Sequence, residues 1–245
     1  VSRGAVLLAA ALPLLGGCAT LRQPDPFEPV NRKVFAFNDA FDQWLLRPVA
    51  RGWDFVAPER VQRGVANFHG NLDMPMVMLN DLLVLRGGDF LEDTARLVIN
   101  TTVGVGGFVD VAGRLGIPRN DADLGLTLGR WGLAPGPYVV VPIIGPFSVR
   151  DGVGYIGDGF AHPHIYFIPF WGSFVVYSTR AVNFRAMAGE DIDEARAESF
   201  DYYVFVRDAY LQSRAARVAG RETPRADREE ELYFPEEDLD EEGVE

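Results

Sequence analysis

Apolar positions recur along this chain with the period of an α-helix. Val30, Val34, Phe37, Phe41 and Trp44 step by four and three residues, the spacing of one helix face. Pro48 should kink or end that helix, with 49–56 continuing helically. Pro58 stands where a first-turn proline opens the next helix, whose stripe is Val61, Val65 and Phe68. Asp73-Met74-Pro75 reads as a further helix start. From Met76 to Leu85 the chain is apolar on nearly all sides except Asn80 and Asp81, the mark of a helix that is buried or faces lipid. Met74, Met76 and Met78 suit either setting. Gly87-Gly88 break the pattern, and 89–100 resumes it with Phe90, Leu91, Thr94, Leu97 and Val98 expected to face inward. The glycines of 101–108 permit a close turn between helices. Short helices follow over 108–115 and 121–131, the second with Leu124, Leu128 and Trp131 on one stripe. Ser148 is placed to cap a helix through Asp158, 175–187 is helical, and Ser199 can cap a last helix reaching about Ala219. No segment alternates convincingly over several strands, so the pattern predicts a mainly α fold.

Two regions depart from this rhythm. Between Arg130 and Arg150 lie 19 residues without a formal charge, four of them Pro and three Gly, which leaves no room for a regular helix or a central strand. An uncharged, apolar, irregular segment is a poor solvated loop. It should be buried, lie against lipid, or line a path used by something apolar. The second region, 159–179, has 21 uncharged residues with Phe160, Tyr166, Phe167, Phe170, Trp171, Phe174 and Tyr177. Its length would span a bilayer, but Pro163, Pro169 and Gly172 interrupt it. Tyr and Trp favour the membrane–water interface, so a helix lying in or near one leaflet accounts for it better than a span.

The start of the chain reads as an address. Arg3 precedes 11 uncharged residues, Ala5 to Leu15, and Leu15-Gly16-Gly17 precede Cys18. That is the order of a secretory signal with small residues at its cut site, between Gly17 and Cys18, and it is too short to span a bilayer. Leu15-Gly16-Gly17-Cys18 resembles a bacterial lipobox, in which the cysteine is acylated. Two or more chains at about 0.8 kcal/mol per buried CH₂ give stable anchoring. The expected organisation is a signal peptide over 1–17, a lipidated tether over 18–29 with Pro24, Pro26 and Pro29, a helical domain over 30–220, and an acidic disordered tail over 221–245.

Charge sharpens that division. The formal net charge is −12, yet 222–245 carries 12 acidic residues and 2 arginines, net −10, leaving the body near neutral at −2. The body offers no basic pattern for nucleic acid. With Cys18 the only cysteine, no thiolate metal cluster or internal disulfide can form, and His162 and His164 lack nearby partners for zinc. The 190–194 carboxylates lack the spacing of a calcium loop and read as a solvated helix start. Neither a G-x-S-x-G elbow nor a G-x-x-x-x-G-K-[S/T] loop is present, and the glycines of 104–107 lack dinucleotide spacing. No metal, cofactor or enzyme activity is expected.

An ordered series of residues resembles the MlaA (VacJ) family of outer-membrane lipoproteins. It runs through Asp25-Pro26-Phe27-Glu28, Asn31-Arg32, Phe37-Asn38, Arg47-Pro48-Val49-Ala50, Asn67-Phe68, Asn71-Leu72, Pro75 and Asn80. It continues with Arg96, Asn100-Thr101, the run from Gly106 to Ala112, Gly125, Leu128-Gly129, Gly136-Pro137-Tyr138, Pro142, Gly145, Arg150-Asp151 and Asp158-Gly159-Phe160. The resemblance implies a single-domain ring of kinked helices with an amphipathic central channel, seated in the inner leaflet of the outer membrane and facing the periplasm. It implies passive removal of mislocalised phospholipid from the outer leaflet, transfer to a soluble periplasmic phospholipid carrier and then an inner-membrane transporter, and a complex with trimeric porins. It places 131–150 on a hairpin bordering the channel, and Phe37-Asn38 on the helix that positions the ring in the leaflet. Trp131, Gly136, Pro137, Tyr138, Val140, Pro142, Ile143, Ile144, Phe147 and Arg150 are the candidates for channel and lipid contact. Phe170, Trp171 and Phe174 join Phe37 and Asn38 as candidates for membrane positioning. A porin-bound lipoprotein without transport, and less so a lipid hydrolase, are the competing readings.

Because Cys18 is the only covalent anchor signal, Cys18→Ala is expected to leave the chain out of washed outer membranes and inactive. Fractionation showing the variant there at normal levels would contradict this.

Overall fold

The computed structural model describes residues 25–162 and 164–220. The signal, Cys18, most of the tether and the acidic tail lie outside the described residues. Eleven α-helices and one two-stranded ribbon make up that region. In chain order they are α1 (Glu28–Phe41), a π-helical turn (Asp42–Leu46), α2 (Arg47–Val56), α3 (Glu59–Leu83), α4 (Gly87–Thr102), α5 (Val111–Arg114), α6 (Leu124–Arg130), β1 (Tyr138–Val141), β2 (Gly145–Ser148), α7 (Val149–Ala161), α8 (His164–Phe167), α9 (Phe170–Met187), α10 (Gly189–Glu198) and α11 (Tyr202–Val218). The mainly α expectation holds.

The elements touch one another in a closed circuit. α1 meets β1, β2 meets α11, α11 meets α6, and α6 packs on α7. From there α7 meets α3, α3 meets α9, α9 packs on α2, and the π-helical turn leads back to α1. The tightest step is α6 on α7, where Gly125 and Gly154 face each other. A Cβ on Gly154 would lie 2.7 Å from the Gly125 Cα, so only glycine lets these backbones meet.

One proline acts as its local signal predicts and one does not. At Pro48 the regular α1 helix has already given way, and 49–56 continues helically in α2 with the proline in its first turn. The backbone widens into the π turn just before it, with the Arg47 N–H reaching back to the Asp42 carbonyl, and α2 continues on the far side. Pro75 lies inside α3, which runs for 25 residues without restarting at Asp73. An internal proline costs about 3 kcal/mol, but Met74 and Val77 flank it in a buried cluster with Ala122, packed by Met76 and Leu97. Tertiary packing outweighs the local signal. Ser148 does cap α7, accepting from the Asp151 N–H at 3.1 Å. The last helix, by contrast, is capped by Asp201 through the Val204 N–H, two residues beyond Ser199.

The chief departure is the direction in which the helices face. Most of the apolar stripe of α1 and its continuation points outward: Val30, Phe37, Trp44 and Phe55 are exposed, Trp44 by 85% and Phe55 by 90%, while Val34 packs inward on the Tyr138 cluster. On α4, Leu91 and Val98 are exposed, while Asp93, Arg96 and Asn100 are buried. In the apolar stretch after Pro75, the two polar residues, Asn80 and Asp81, are among the most buried. Correct periodicity with inverted facing has one cause: the interior is polar and its groups are paired, so apolar side chains are left to the outside.

Arg214 shows how that interior holds. Its guanidinium forks onto Asp123 at 2.6 and 2.8 Å and reaches both oxygens of Asp151 at 3.0 and 3.1 Å. It thereby ties α11 to the N-terminal ends of α6 and α7. Burial alone would raise Asp151, but Arg214, Tyr210 and Arg150 outweigh it and hold the carboxyl at about 2. Removing one partner of a buried ion pair costs about 3–5 kcal/mol, because the others stay buried and unpaired. Arg214→Leu is therefore expected to lower unfolding stability by that order in denaturant titration. A loss under about 1 kcal/mol would mean that the triad is not a structural tie.

Candidate functional site

The apolar exterior is the first part of the site. Phe37, Trp44, Phe55, Leu91, Val98, Phe160, Phe167, Phe170, Trp171 and Phe174 are all exposed. Phe170, Trp171 and Phe174 form an edge-on aromatic row, with ring centroids 5.4 and 6.3 Å apart. Water-soluble proteins seldom show so much large apolar surface, and contiguous patches of this kind mark membrane or partner contact. Among the described residues no helix is long and apolar enough to cross a membrane. The 159–179 stretch divides at Pro169 into α8 and α9 rather than forming one span.

The second part is the polar interior. Asn80 takes a hydrogen bond from Thr127 at 2.8 Å and donates to Asp158 at 3.0 Å, while Asp158 accepts from the Leu124 N–H. Asn120 donates to Asp81 at 2.8 Å and to Asp93 at 3.2 Å, bridging α3 and α4. Both carboxylates are fully buried. Burial and the neighbouring Asp81 carboxyl push Asp93 up to about 8. Near the other end of the chain, Arg185 is buried and pairs with Asp42 at 2.8 Å and Asp193 at 2.7 Å. Asp193 belongs to the acidic patch expected to be a solvated helix start. Glu190, Asp191 and Glu194 are exposed at the start of α10 as expected, while Asp193 turns to the interior cations.

The third part is the hairpin. β1 and β2 pair antiparallel, Tyr138 opposite Ser148 and Val141 opposite Gly145. Nothing in the sequence pattern announced strands there. Pro137 precedes the ladder, Pro142 lies in the turn, and Pro146 is on the outer strand, so the prolines fit an isolated two-stranded ribbon. The free edge of β1 is covered by α1. Asn31 donates to the Tyr138 carbonyl and accepts from the Val140 N–H, both at 3.0 Å. Two helical turns on, Asn38 donates to the Val141 carbonyl at 3.0 Å and accepts from the Ile143 N–H at 2.7 Å. Each asparagine amide stands in for one peptide of a missing third strand, satisfying an edge that would otherwise stay open.

These contacts sort the sequence candidates. Pro142, Ile143 and Ile144 come together as an exposed tip, Ile143 at 63% and Ile144 at 53%. Ile143 sits at φ +67°, a left-handed conformation that strains a β-branched residue, and the Asn38 bond holds it there. Trp131 is exposed and donates to the Leu83 carbonyl. Phe147 is half-buried against Tyr155, and Gly136 and Pro137 shape the entry to β1, Gly136 at φ +70°. Tyr138 and Val140 are corrected: they are buried with Tyr203 under Val34, Phe35 and Tyr210, so they pack the core rather than meet lipid. Arg150 is corrected likewise, being buried against Asp151. Asn38 is not a membrane contact but a latch on the hairpin, while its neighbour Phe37 does point outward. Asn31, Asp93 and Arg185 hold the hairpin edge and the polar interior, positions absent from the sequence candidates. Their signal was there, as polar residues at helical spacing within apolar helices.

The family model described as MlaA lipoprotein matches residues 23–217. This chain belongs to the MlaA lipoprotein family. An Escherichia coli K12 relative called intermembrane phospholipid transport system lipoprotein MlaA is 36% identical over 214 residues, covering 84% of each chain. An uncharacterized protein of Rickettsia felis is 37% identical over 203 residues, 82% of this chain and 80% of that one. A solved structure reported as the structural basis for maintenance of bacterial outer membrane lipid asymmetry superposes with a TM-score of 0.71 at 33% identity, covering 79% of this chain and 98% of the other. The MlaA membership accounts for the shared helical fold over nearly the whole described region.

A carboxyl whose folded pKa stands above its unfolded value near 4 binds an extra proton in the folded state between those two pH values. Stability contributed by the Asp81–Asp93 pair should therefore fall as pH rises from about 4 to about 8. Asp93→Asn keeps a donor facing Asp81 without that proton. It is expected to melt above the parent chain at pH 8, with the gap narrowing toward pH 5. A gap that does not change with pH would argue against a raised Asp93.

Proposed function

We propose that this MlaA-family chain is a passive phospholipid conduit in the inner leaflet of the outer membrane, lipid-anchored through Cys18, and that it removes phospholipids mislocalised to the outer leaflet. The observation that carries the reading is the inversion of the helices: apolar side chains outside, paired polar groups within. A solvent of hydrocarbon favours that arrangement and water does not. Drawing two 16-carbon tails through water costs on the order of 25 kcal/mol at about 0.8 per CH₂. A protein that gives the headgroup a polar path while the tails stay against apolar surface removes most of that barrier. No nucleotide motif is present to drive the step, so direction is set by the acceptors downstream.

In this proposal the hairpin is the moving part. Its tip is exposed and apolar, its turn is strained at Ile143, and Asn38 holds it down. Release of that one latch frees the tip, while Asn31 keeps the base of β1 in place. The lipid passes to a soluble periplasmic carrier, and trimeric porins hold the ring in position. The name of the E. coli relative and the lipid-asymmetry setting of the solved relative support this reading.

Two measurements test it. Deletion of the gene is expected to raise phospholipid in the outer leaflet, and unchanged asymmetry would leave a structural lipoprotein. A disulfide between Asn38→Cys and Ile143→Cys, closing the hairpin onto α1, is expected to reproduce the deletion until it is reduced. Full lipid removal by the oxidised, crosslinked chain would sink the moving-hairpin mechanism.

A further inference from the structure

Three non-glycine residues among those described have left-handed backbone: Leu85, Val105 and Ile143. That conformation suits glycine or asparagine and strains a branched side chain. All three are nonetheless aliphatic, and all are exposed, Val105 by 71%. An exposed side chain gives the fold little to offset the strain, so its use lies in a contact outside the chain. Ile143 is the hairpin tip already described. Leu85 adjoins the Arg86–Asp89 ion pair and stands in charged surroundings. Val105, at φ +55°, has no such neighbour in sequence.

Val105 lies in the loop after α4, within 13 uncharged residues between Arg96 and Asp110. Val103 and Phe108, before and after it in the chain, are also exposed. Leu91 and Val98 stand two turns apart on the outward face of α4, so the loop prolongs an apolar face already present. The loop is pinned to α3. Phe108 stacks on Phe68 with ring centroids 4.8 Å apart, and a Cβ on Gly107 would lie 2.5 Å from Asn71 Cβ.

Its polar groups are already engaged. The N–H groups of Val103, Gly104, Gly106, Gly107 and Val109 all donate to carbonyls between Ile99 and Gly104. Thr102 donates to the Val98 carbonyl at 2.7 Å, and Thr101 Oγ1 accepts from Asn71 at 3.0 Å. The Asn71 and Asn67 amides also reach the Gly106 and Phe108 carbonyls, both at 3.5 Å. A solvated loop leaves such groups to water, and a protein interface uses them, at about one hydrogen bond per 100–200 Å². Irregular backbone meets hydrocarbon only when its polar groups are satisfied within the protein. An uncharged loop with its backbone engaged and its aliphatic groups outward fits acyl chains rather than a protein partner.

We propose that the 103–108 loop is a fixed lipid-contacting tip, which sets Val103, Val105 and Phe108 into the acyl edge of the leaflet on the side of the ring opposite the hairpin. Around the contact circuit, α11, α6 and α7 separate the hairpin from α3 on one side, and α1, α2 and α9 on the other. The proposal rests on the leaflet reading above and gives the ring a second point of contact, independent of Cys18 and of the moving hairpin.

The test uses the full-length lipoprotein in porin-free vesicles of phosphatidylethanolamine and phosphatidylglycerol. An environment-sensitive fluorophore is attached to Val105→Cys, to Phe170→Cys on α9 and to Glu190→Cys on α10. With Cys18 acylated, each introduced cysteine is the only free thiol. The Val105 label is expected to be quenched by nitroxide on the acyl chains and shielded from aqueous iodide, and the Glu190 label the reverse. Val105→Asn keeps a residue suited to left-handed backbone and removes the apolar group. It is expected to melt no lower than the parent, yet to exchange between vesicles about tenfold faster or more. A Val105 label as open to iodide as that at Glu190 would overturn the loop contact. If the Phe170 label were still quenched within the bilayer, the leaflet reading would stand; with both labels wet it would fall too. Shielding of Val105 that appears only on adding porin trimers would make the loop a protein contact and overturn the lipid assignment. A Val105→Asn chain that melts below the parent would show the valine serving the fold, against the proposal.

Discussion

A polar interior can exist only if nearly every group in it is paired, and this requirement governs the rest of the structure. Arg185, Arg150 and Arg96 are buried, each against a carboxylate. An isolated charge removed from water costs many kcal/mol, so partners must arrive from distant parts of the chain. Asp42 in the π-helical turn after α1 meets Arg185 on α9, and Asp123 at the start of α6 meets Arg214 on α11. These pairs join the beginning of the described chain to its end. They also explain why the purely apolar clusters are small, one around Met74 and Val77 and one around Tyr138 and Tyr203.

Filling the inside with paired polar groups leaves the apolar helix faces outside. In water that surface would drive aggregation; in a lipid leaflet it is the favoured solution. The same logic shapes the hairpin. An isolated two-stranded ribbon with an open edge is marginal, and here two asparagines on α1 close that edge with four hydrogen bonds. The bond that Asn38 accepts from the Ile143 N–H also restrains a strained isoleucine turn. The hold on that turn therefore rests on one side chain whose bonds are individually modest.

Much of the fold was legible along the chain. Helical periodicity gave the mainly α class, and Ser148 capped the helix it was expected to cap. The helix start expected at Pro75 failed, because a proline signal is local and the forces that decide it are not. The π turn ahead of Pro48 and the packing of Met74 and Val77 around Pro75 involve contacts that one-dimensional reading does not contain. The candidate site was half legible. Ile143 and Ile144 stand exposed at the tip, while Tyr138 and Val140, two residues apart on one strand, turn to the core because β1 alternates.

The sequence by itself determined which positions share a helix face, where charge is absent, and the family to which the chain belongs. It could not determine which face looks inward. Periodicity reports that two sides differ, and the usual assignment of the apolar side to the interior assumes water outside. Only the tertiary structure decided that Asp93, Arg96 and Asn100 turn in while Leu91 and Val98 turn out. The reason is that a buried arginine or asparagine is tolerable only beside its partner, and Asp110, which receives both Arg96 and Asn100, is brought to them by the fold.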